Sequence, residues 1–293
     1  MSQDSILKVD NLVMHFGGIK ALNDVNFEIK RGSVSALIGP NGAGKTTVFN
    51  CLTGFYKATG GNIMLDACGK TTSVIQVLGE PFQASDFLNP VAFAKRLKYK
   101  MFGGSHLVNR AGLSRTFQNI RLFKEMSVVE NLLVAQHMRA NRSLIAGILN
   151  TKAYKKSEEE ALERAFYWLG VVDLKDFANR LAGELSYGQQ RRLEIARAMC
   201  TNPEIVCLDE PAAGLNPSET EALTKMIRVL RDQHNTTVLL IEHDMGMVMN
   251  ISDYIVVLDH GEVIAKGGPE DIKSNPKVIA AYLGAEEGEE VTL

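Results

Sequence analysis

Gly39, Pro40, Asn41, Gly42, Ala43, Gly44, Lys45, Thr46 and Thr47 bring backbone freedom, one cation and two hydroxyls into a single stretch. Gly39 and Gly44 lack a Cβ, so the chain can adopt φ/ψ values that turn successive N–H groups towards one anion. Lys45 has the reach for the terminal phosphates of a nucleotide, and the Thr46 hydroxyl suits Mg²⁺. Residues 34–38 before the stretch form an apolar run that reads as a buried strand. Residues 48–52 after it carry apolar side chains at helical spacing. Strand, glycine-rich turn and helix are the context of a phosphate site, so nucleotide binding is the first expectation.

Further along, Ile205-Val206-Cys207-Leu208 ends in two carboxylates, Asp209 and Glu210. A short β-branched run of this kind reads as a buried parallel strand, which delivers its acids at the carboxyl edge of a sheet, where α/β folds bind ligands. Asp209 then suits Mg²⁺, and Glu210 can polarise an attacking water. A second run, Val238-Leu239-Leu240-Ile241, ends in Glu242-His243-Asp244. His243 is placed either to hydrogen-bond a γ-phosphate or simply to pack or cap. Ser186, before Tyr187-Gly188-Gln189-Gln190, is a natural N-cap for a helix bearing Leu193, Ala196 and Met199 on one face. The start of that helix is either a plain cap or a second anion site. Phe16, beside Gly17-Gly18, offers a ring that either stacks on a base or packs in the core.

The elements that must position these groups follow from the rest of the chain. At 293 residues the chain has room for one large or two modest domains. Apolar residues make up 45% and charged residues 23%, the balance of a soluble globular protein. A net charge of −2 argues against a general nucleic-acid surface. No apolar segment has bilayer-spanning length, and MSQDSILKVD lacks the regions of a secretory signal, so a cytoplasmic protein is expected. Cys51, Cys68, Cys200 and Cys207 show no metal-ligand spacing, and three of them fall in apolar patterns as packed thiols.

Short alternating runs within residues 6–31 read as antiparallel strands leading into the strand at 34–38. Residues 62–65 look strand-like, and residues 66–110, punctuated by Gly and Pro, read mainly as surface loop. Within it, residues 91–102 form a basic amphipathic helix pattern that is either a solvated face or a contact for anionic lipid or an acidic partner. Residues 119–185 look helical and charged, with candidates at 128–134 and 155–169 and with Phe166 and Trp168 as core. Residues 255–258 and 262–265 form a hairpin across Asp259-His260-Gly261, and the acidic end at 286–290 is expected to fray.

In order, Phe16, GPNGAGKTT, Gln118 in RTFQN, LSYGQQ, IVCLDEP and His243 resemble the ATP-binding subunit of ABC transporters over nearly the whole chain. CLTGFYKATGG, NLLVAQH, LDEPAAGLNP and the closing AYLG resemble in particular the LivG-type ATPase of branched-chain amino-acid importers; polar amino-acid and amide importers use similar subunits. The resemblance implies an α/β fold in one domain: a RecA-like P-loop core with a mainly parallel sheet, an N-terminal antiparallel β-subdomain and a helical subdomain. It places the β-subdomain at 1–32, the core at 33–118 and 186–265, the helical part at 119–185 and a C-terminal helix and tail at 266–293. It implies ATP and Mg²⁺, with Phe16 stacking on adenine and Gln118 contacting the metal or the attacking water. Glu210 would be the general base and His243 the γ-phosphate sensor. Ser186, Gly188 and Gln189 would serve ATP held by a second ATPase subunit, identical or, preferably, different. Integral membrane permease subunits and, through them, a solute-binding protein are the other implied partners, at the cytoplasmic face of the membrane.

Two departures from the family pattern stand out. Asn216 occupies a position where many relatives carry an acid, and the segment between Leu65 and Arg115 is roughly thirty residues longer than such subunits need, which marks an inserted surface segment. Two rivals are weighed. A soluble ABC-type ATPase acting on nucleic acid lacks support from a basic stripe or a long coiled-coil insertion. A phosphate-loop GTPase switch has no use for LSYGQQ.

Overall fold

The computed structural model describes residues 4–79, 90–137 and 151–289. Strands β1 (Ser5–Phe16) and β2 (Ile19–Lys30) pair as an antiparallel hairpin. β4 (Gly60–Ala67) and β5 (Lys70–Ser73) extend it to a four-stranded antiparallel sheet of order β2-β1-β4-β5. The second sheet has the order β10-β9-β3-β8-β7-β6. It comprises β3 (Val34–Ile38), β6 (Leu113–Arg115), β7 (Ile205–Asp209), β8 (Thr237–Ile241), β9 (Tyr254–Asp259) and β10 (Glu262–Gly267). Every pairing in it is parallel except the β9–β10 hairpin. That hairpin turns on His260 and Gly261, whose φ angles of 45° and 78° suit the right-handed twist of its strands.

β3, β7 and β8 are buried along their whole length, which explains why they read as continuous apolar runs. Their side chains alternate between two cores. Val34, Ala36, Ile38, Val206, Leu208, Val238 and Leu240 face one with Trp168, Leu193 and Ile227. Leu37, Ile205, Cys207, Leu239 and Ile241 face the other with Val9, Phe27 and Phe49. The parallel sheet is therefore sandwiched between the antiparallel sheet with helix α1 (Lys45–Leu52) and a helical layer. Phe166 packs against the first core, and Cys51, Cys200 and Cys207 are buried thiols whose pKa values burial pushes up to about 12.

Residues 66–79 and 90–110 are more regular than the expected surface loop. β5 pairs back on β4, with Lys70 opposite Ala67. Helices α2 (Val74–Val77), α3 (Pro90–Phe102) and α4 (Ser105–Arg110) follow. The β4–β5 turn is made by Cys68 and Gly69 at φ 54° and 68°, a role usually taken by Asn-Gly, so the sequence carried no hairpin signal there. The amphipathic pattern at 91–102 is indeed a helix, with Leu97 and Met101 exposed. Residues 80–89 of the expected loop lie outside the described residues.

Helices α5 (Val128–Ala135) and α6 (Lys152–Val171) pack on α7 (Tyr187–Met199) and form the helical part of the molecule. α8 (Pro217–Asp232) and α9 (Met245–Ile251) follow β7 and β8. α10 (Pro269–Lys273) and α11 (Pro276–Glu289) pack on β10. α11 runs as far as Glu289, into the acidic end, and residue 290 lies outside the described residues. Among the described residues no helix is long and apolar enough to cross a membrane.

Candidate nucleotide site

Because β3, β8, β7 and β6 are parallel neighbours, their carboxyl ends deliver four loops to one edge. The loop after β3 is the glycine-rich stretch. Gly39 has φ 149°, and a Cβ there would stand 2.0 Å from the carbonyl oxygen of Leu258, so no other residue fits. Gly44, at φ 99°, caps α1, whose first residues are Lys45 and Thr46. Lys45 is 6% exposed and folds back on its own loop, its Nζ donating to the carbonyls of Gly39 at 2.7 Å and Pro40 at 2.9 Å. Burial lowers the pKa of this ammonium, and the charge of Glu210 opposes that shift. From the C-terminal helix, Tyr282 reaches the backbone of Gly39.

Glu210, just beyond β7, takes a left-handed backbone with φ 46°. Its N–H donates to Ile241 O at 3.0 Å, which pins the strained residue to the end of β8. Its carboxylate lies between two other candidate site residues. Gln118 Nε2 donates to Oε2 at 2.7 Å, and His243 Nε2 stands 2.9 Å from Oε1. Three residues far apart in sequence, each placed by a different strand end, thus meet at one carboxylate.

Asp209, the last residue of β7, pairs with Arg115 at 2.6 Å, and both side chains are buried. The same guanidinium donates to Asn50 Oδ1 at 2.6 Å and Thr53 Oγ1 at 3.2 Å. The rings of Phe49, Phe55 and Phe117 lie 5.1 to 5.8 Å from its centre. Asp209, Thr46 and Gln118 carry a carboxylate, a hydroxyl and an amide, oxygen donors of the kind that suits Mg²⁺.

Ser186, Gly188 and Gln189 are not brought to this edge group. Ser186 is the N-cap of α7, and its Oγ accepts from Gln189 N at 3.3 Å while Gln189 Oε1 accepts from Ser186 N at 3.0 Å. They line a separate cavity of about 290 Å³ with Asp173, Leu215 and Glu219. A Cβ at Gly188 would stand 2.5 Å from Glu219 Oε1, so the glycine makes room for the start of α8. Asn216 caps that helix through a box with Glu219, a function that Asn and Asp perform about equally well.

Phe16 is 42% exposed at the end of β1 and meets Tyr56 edge-on at 5.3 Å, so a ring pair, rather than one ring, is available to a base. Tyr56 was not singled out by sequence reasoning, nor were Arg115, Arg191, Glu242 or the contact of Tyr282. Arg191, fully buried on α7, pairs with Glu194 at 3.0 Å and donates to the carbonyls of Phe117 and Gln118, each at 2.7 Å. Tyr56 lies in CLTGFYKATGG, Arg115 in RTFQN and Tyr282 in AYLG, but the cross-element partners of Arg115, Arg191 and Tyr282 are remote in sequence, so no local signal gave those contacts.

A phosphate loop, a strand-end acid pair and a separately capped signature helix define an ATP-binding cassette. The ABC transporter family model matches residues 22–213, and a branched-chain amino acid ATP-binding cassette transporter model matches residues 262–288. The chain belongs to the ABC transporter family. It is 54% identical to the high-affinity branched-chain amino acid transport ATP-binding protein BraF of Pseudomonas aeruginosa, over 95% of this chain and 98% of that one. Its identity to LivG of Escherichia coli, of the same description, is 51% over 97% and 99%. Among solved structures, a nucleotide-free ATP-binding cassette superposes with a TM-score of 0.73 at 34% identity, covering 95% of this chain and 98% of that one. A dimeric bacterial ABC transporter cassette superposes with a TM-score of 0.64 at 25% identity, covering 90% and 98%.

Proposed function

We propose that this chain binds and hydrolyses ATP as the cassette subunit of an importer of branched-chain amino acids, peripheral at the cytoplasmic face of the membrane. The observation that carries the reading is the placement of Glu210 between Gln118 and His243 at the strand edge beside the phosphate loop. The names of the relatives supply the solute class. In this reading Glu210 takes a proton from the attacking water as the water oxygen bonds to the γ-phosphorus and the bond to the ADP oxygen breaks. Each Glu210 oxygen accepts one of these contacts and keeps a second lone pair, so the water can bind the carboxylate beside Gln118 and His243. His243, turned from Glu210, would donate to the γ-phosphate.

Lys45 and the N–H groups of residues 41–47 hold the phosphates, and Phe16 with Tyr56 holds the base. Thr46, Asp209 and Gln118 would hold Mg²⁺, which neutralises phosphate charge when bound. The separation of the Ser186 cavity from the Lys45–Glu210 group supports a head-to-tail pair in which each subunit completes the other's site. We favour a different cassette subunit as the partner, with permease subunits docked near Gln118 and a solute-binding protein acting through them. The five-part division of the chain into β-subdomain, split core, helical part and C-terminal helix is read in the same way. Co-purification with integral membrane subunits, followed by leucine, isoleucine and valine uptake in a strain lacking the chain, tests the reading. Recovery with ribosomes or DNA, or normal uptake of all three, would contradict it.

A further inference from the structure

The carboxylate of Glu242 is a strand-end acid to which the reaction assigns no task. It follows β8 directly, is 4% exposed, and spends its oxygens on backbone donors. Ala212 N donates to Oε1 at 2.6 Å, and His243 N donates to Oε2 at 3.2 Å. Burial raises its pKa against these bonds, and the nearby charge of Glu210 raises it further. A buried acid kept in place by main-chain donors from two different loops is a fastener between those loops.

The loop it fastens is stiff. Ala213 N donates to Glu210 O at 3.2 Å and Leu215 N to Ala212 O at 3.0 Å, so residues 210–215 form successive closed turns. The far end of the loop abuts the signature helix: a Cβ on Gly214 would lie 3.2 Å from the Tyr187 ring, and Glu219 of the next helix crowds Gly188. A continuous set of contacts therefore runs from His243 through Glu242 and the 210–215 loop to Tyr187 and Gly188.

We propose that Glu242 is a positioning residue that locks His243 to the 210–215 loop and so holds the hydrolytic half-site and the signature half-site of one subunit in register. The inference rests on the two-subunit reading above, in which those half-sites serve different ATP molecules. Glu242 then makes the position of the phosphate sensor at one ATP felt at the signature helix that faces the other.

The test is steady-state ATP hydrolysis by the complete transporter carrying Glu242→Gln, Glu242→Ala, Ser186→Ala and the Glu242→Gln/Ser186→Ala pair. The Gln variant keeps an acceptor for Ala212 and turns a donor towards His243 N–H, whereas Ala removes both acceptors. Misplaced groups in an otherwise intact site cost roughly 10- to 10²-fold in rate. We expect kcat to fall by about that factor, more for Ala than for Gln, with KM for ATP unchanged. The paired variant should lose less than the product of the single losses, because both act on one register. A purely structural role would lower the melting temperature and leave kcat per folded complex intact; that result, or losses that multiply, overturns the proposal. A wild-type complex that hydrolyses no ATP overturns the two-subunit reading and the proposal with it, so the two failures are distinguishable.

Discussion

Arg115 Nη2 lies 2.6 Å from Asp209 Oδ2, with side-chain exposures of 6% and 5%. The proposed metal-binding acid is thus held by a buried cation that also ties down α1 through Asn50 and Thr53. Removing one partner of a buried ion pair strands the other, at a cost of about 3–5 kcal/mol. Arg115→Met should destabilise the fold by that amount in denaturant unfolding. Lys in its place keeps the charge but lacks the fork that reaches three acceptors, so Arg115→Lys should recover only part. Equal stability of Arg115→Met and the parent would remove the clamp from the account.

The Arg191–Glu194 pair on α7 is buried more deeply, at 0% and 2% side-chain exposure. Burial raises the pKa of Glu194 even beside the guanidinium, so the carboxylate alone would be poorly tolerated. Arg191→Met should cost about 3–5 kcal/mol, and adding Glu194→Leu should return part of it. The return is incomplete because Phe117 O and Gln118 O still lose their donor. Thermal melts of the single and paired variants decide it; a paired variant less stable than Arg191→Met contradicts the assignment.

Gly188→Ala places a Cβ against Glu219, whose carboxylate closes the cap of α8. Displacing that cap should cost about 0.5–2 kcal/mol. Nucleotide binding to the isolated subunit should stay unchanged, since Gly188 lies apart from the phosphate loop, while turnover of the assembled complex falls. Fluorescent-nucleotide titration beside ATPase assays separates the two effects, and weakened binding in the isolated subunit would show that the two groups are not separate.

His234 packs against Trp168 at 4.7 Å, and burial lowers its pKa below the usual histidine value. Its unfolded form binds protons more readily than its folded form, so the linked stability is present above the unfolded pKa and lost as pH falls below it. Acidification from about pH 8 to about pH 5.5 should therefore lower the melting temperature of the parent more than that of His234→Phe. A constant difference between the two across that range would show that His234 does not titrate as described.

What was legible in the sequence is what is encoded in contiguous residues. The glycine-rich stretch, the buried apolar strands and the cap at Ser186 each depend on neighbours within a few positions, so local chemistry revealed them. Arg115, by contrast, is 94 positions from Asp209, and Arg191 is 74 from Phe117. Nothing beside either residue announces its partner; the parallel pairing of β6 and β7 brings Arg115 to Asp209, and the packing of α7 on β6 brings Arg191 to Phe117. Glu242 stayed hidden for a related reason, since its ligands are backbone N–H groups that any sequence supplies. The β4–β5 turn escaped because Cys68 occupies a left-handed position without belonging to the residues that favour it.

Glu210, held between Gln118 and His243, is the proposed base for ATP hydrolysis. The most direct measurement is single-turnover ATP hydrolysis by the assembled complex carrying Glu210→Gln, with nucleotide binding measured on the same preparation. Loss of a general base predicts a rate lower by about 10²–10⁴-fold with ATP binding intact. An unchanged rate in that complex would contradict the account.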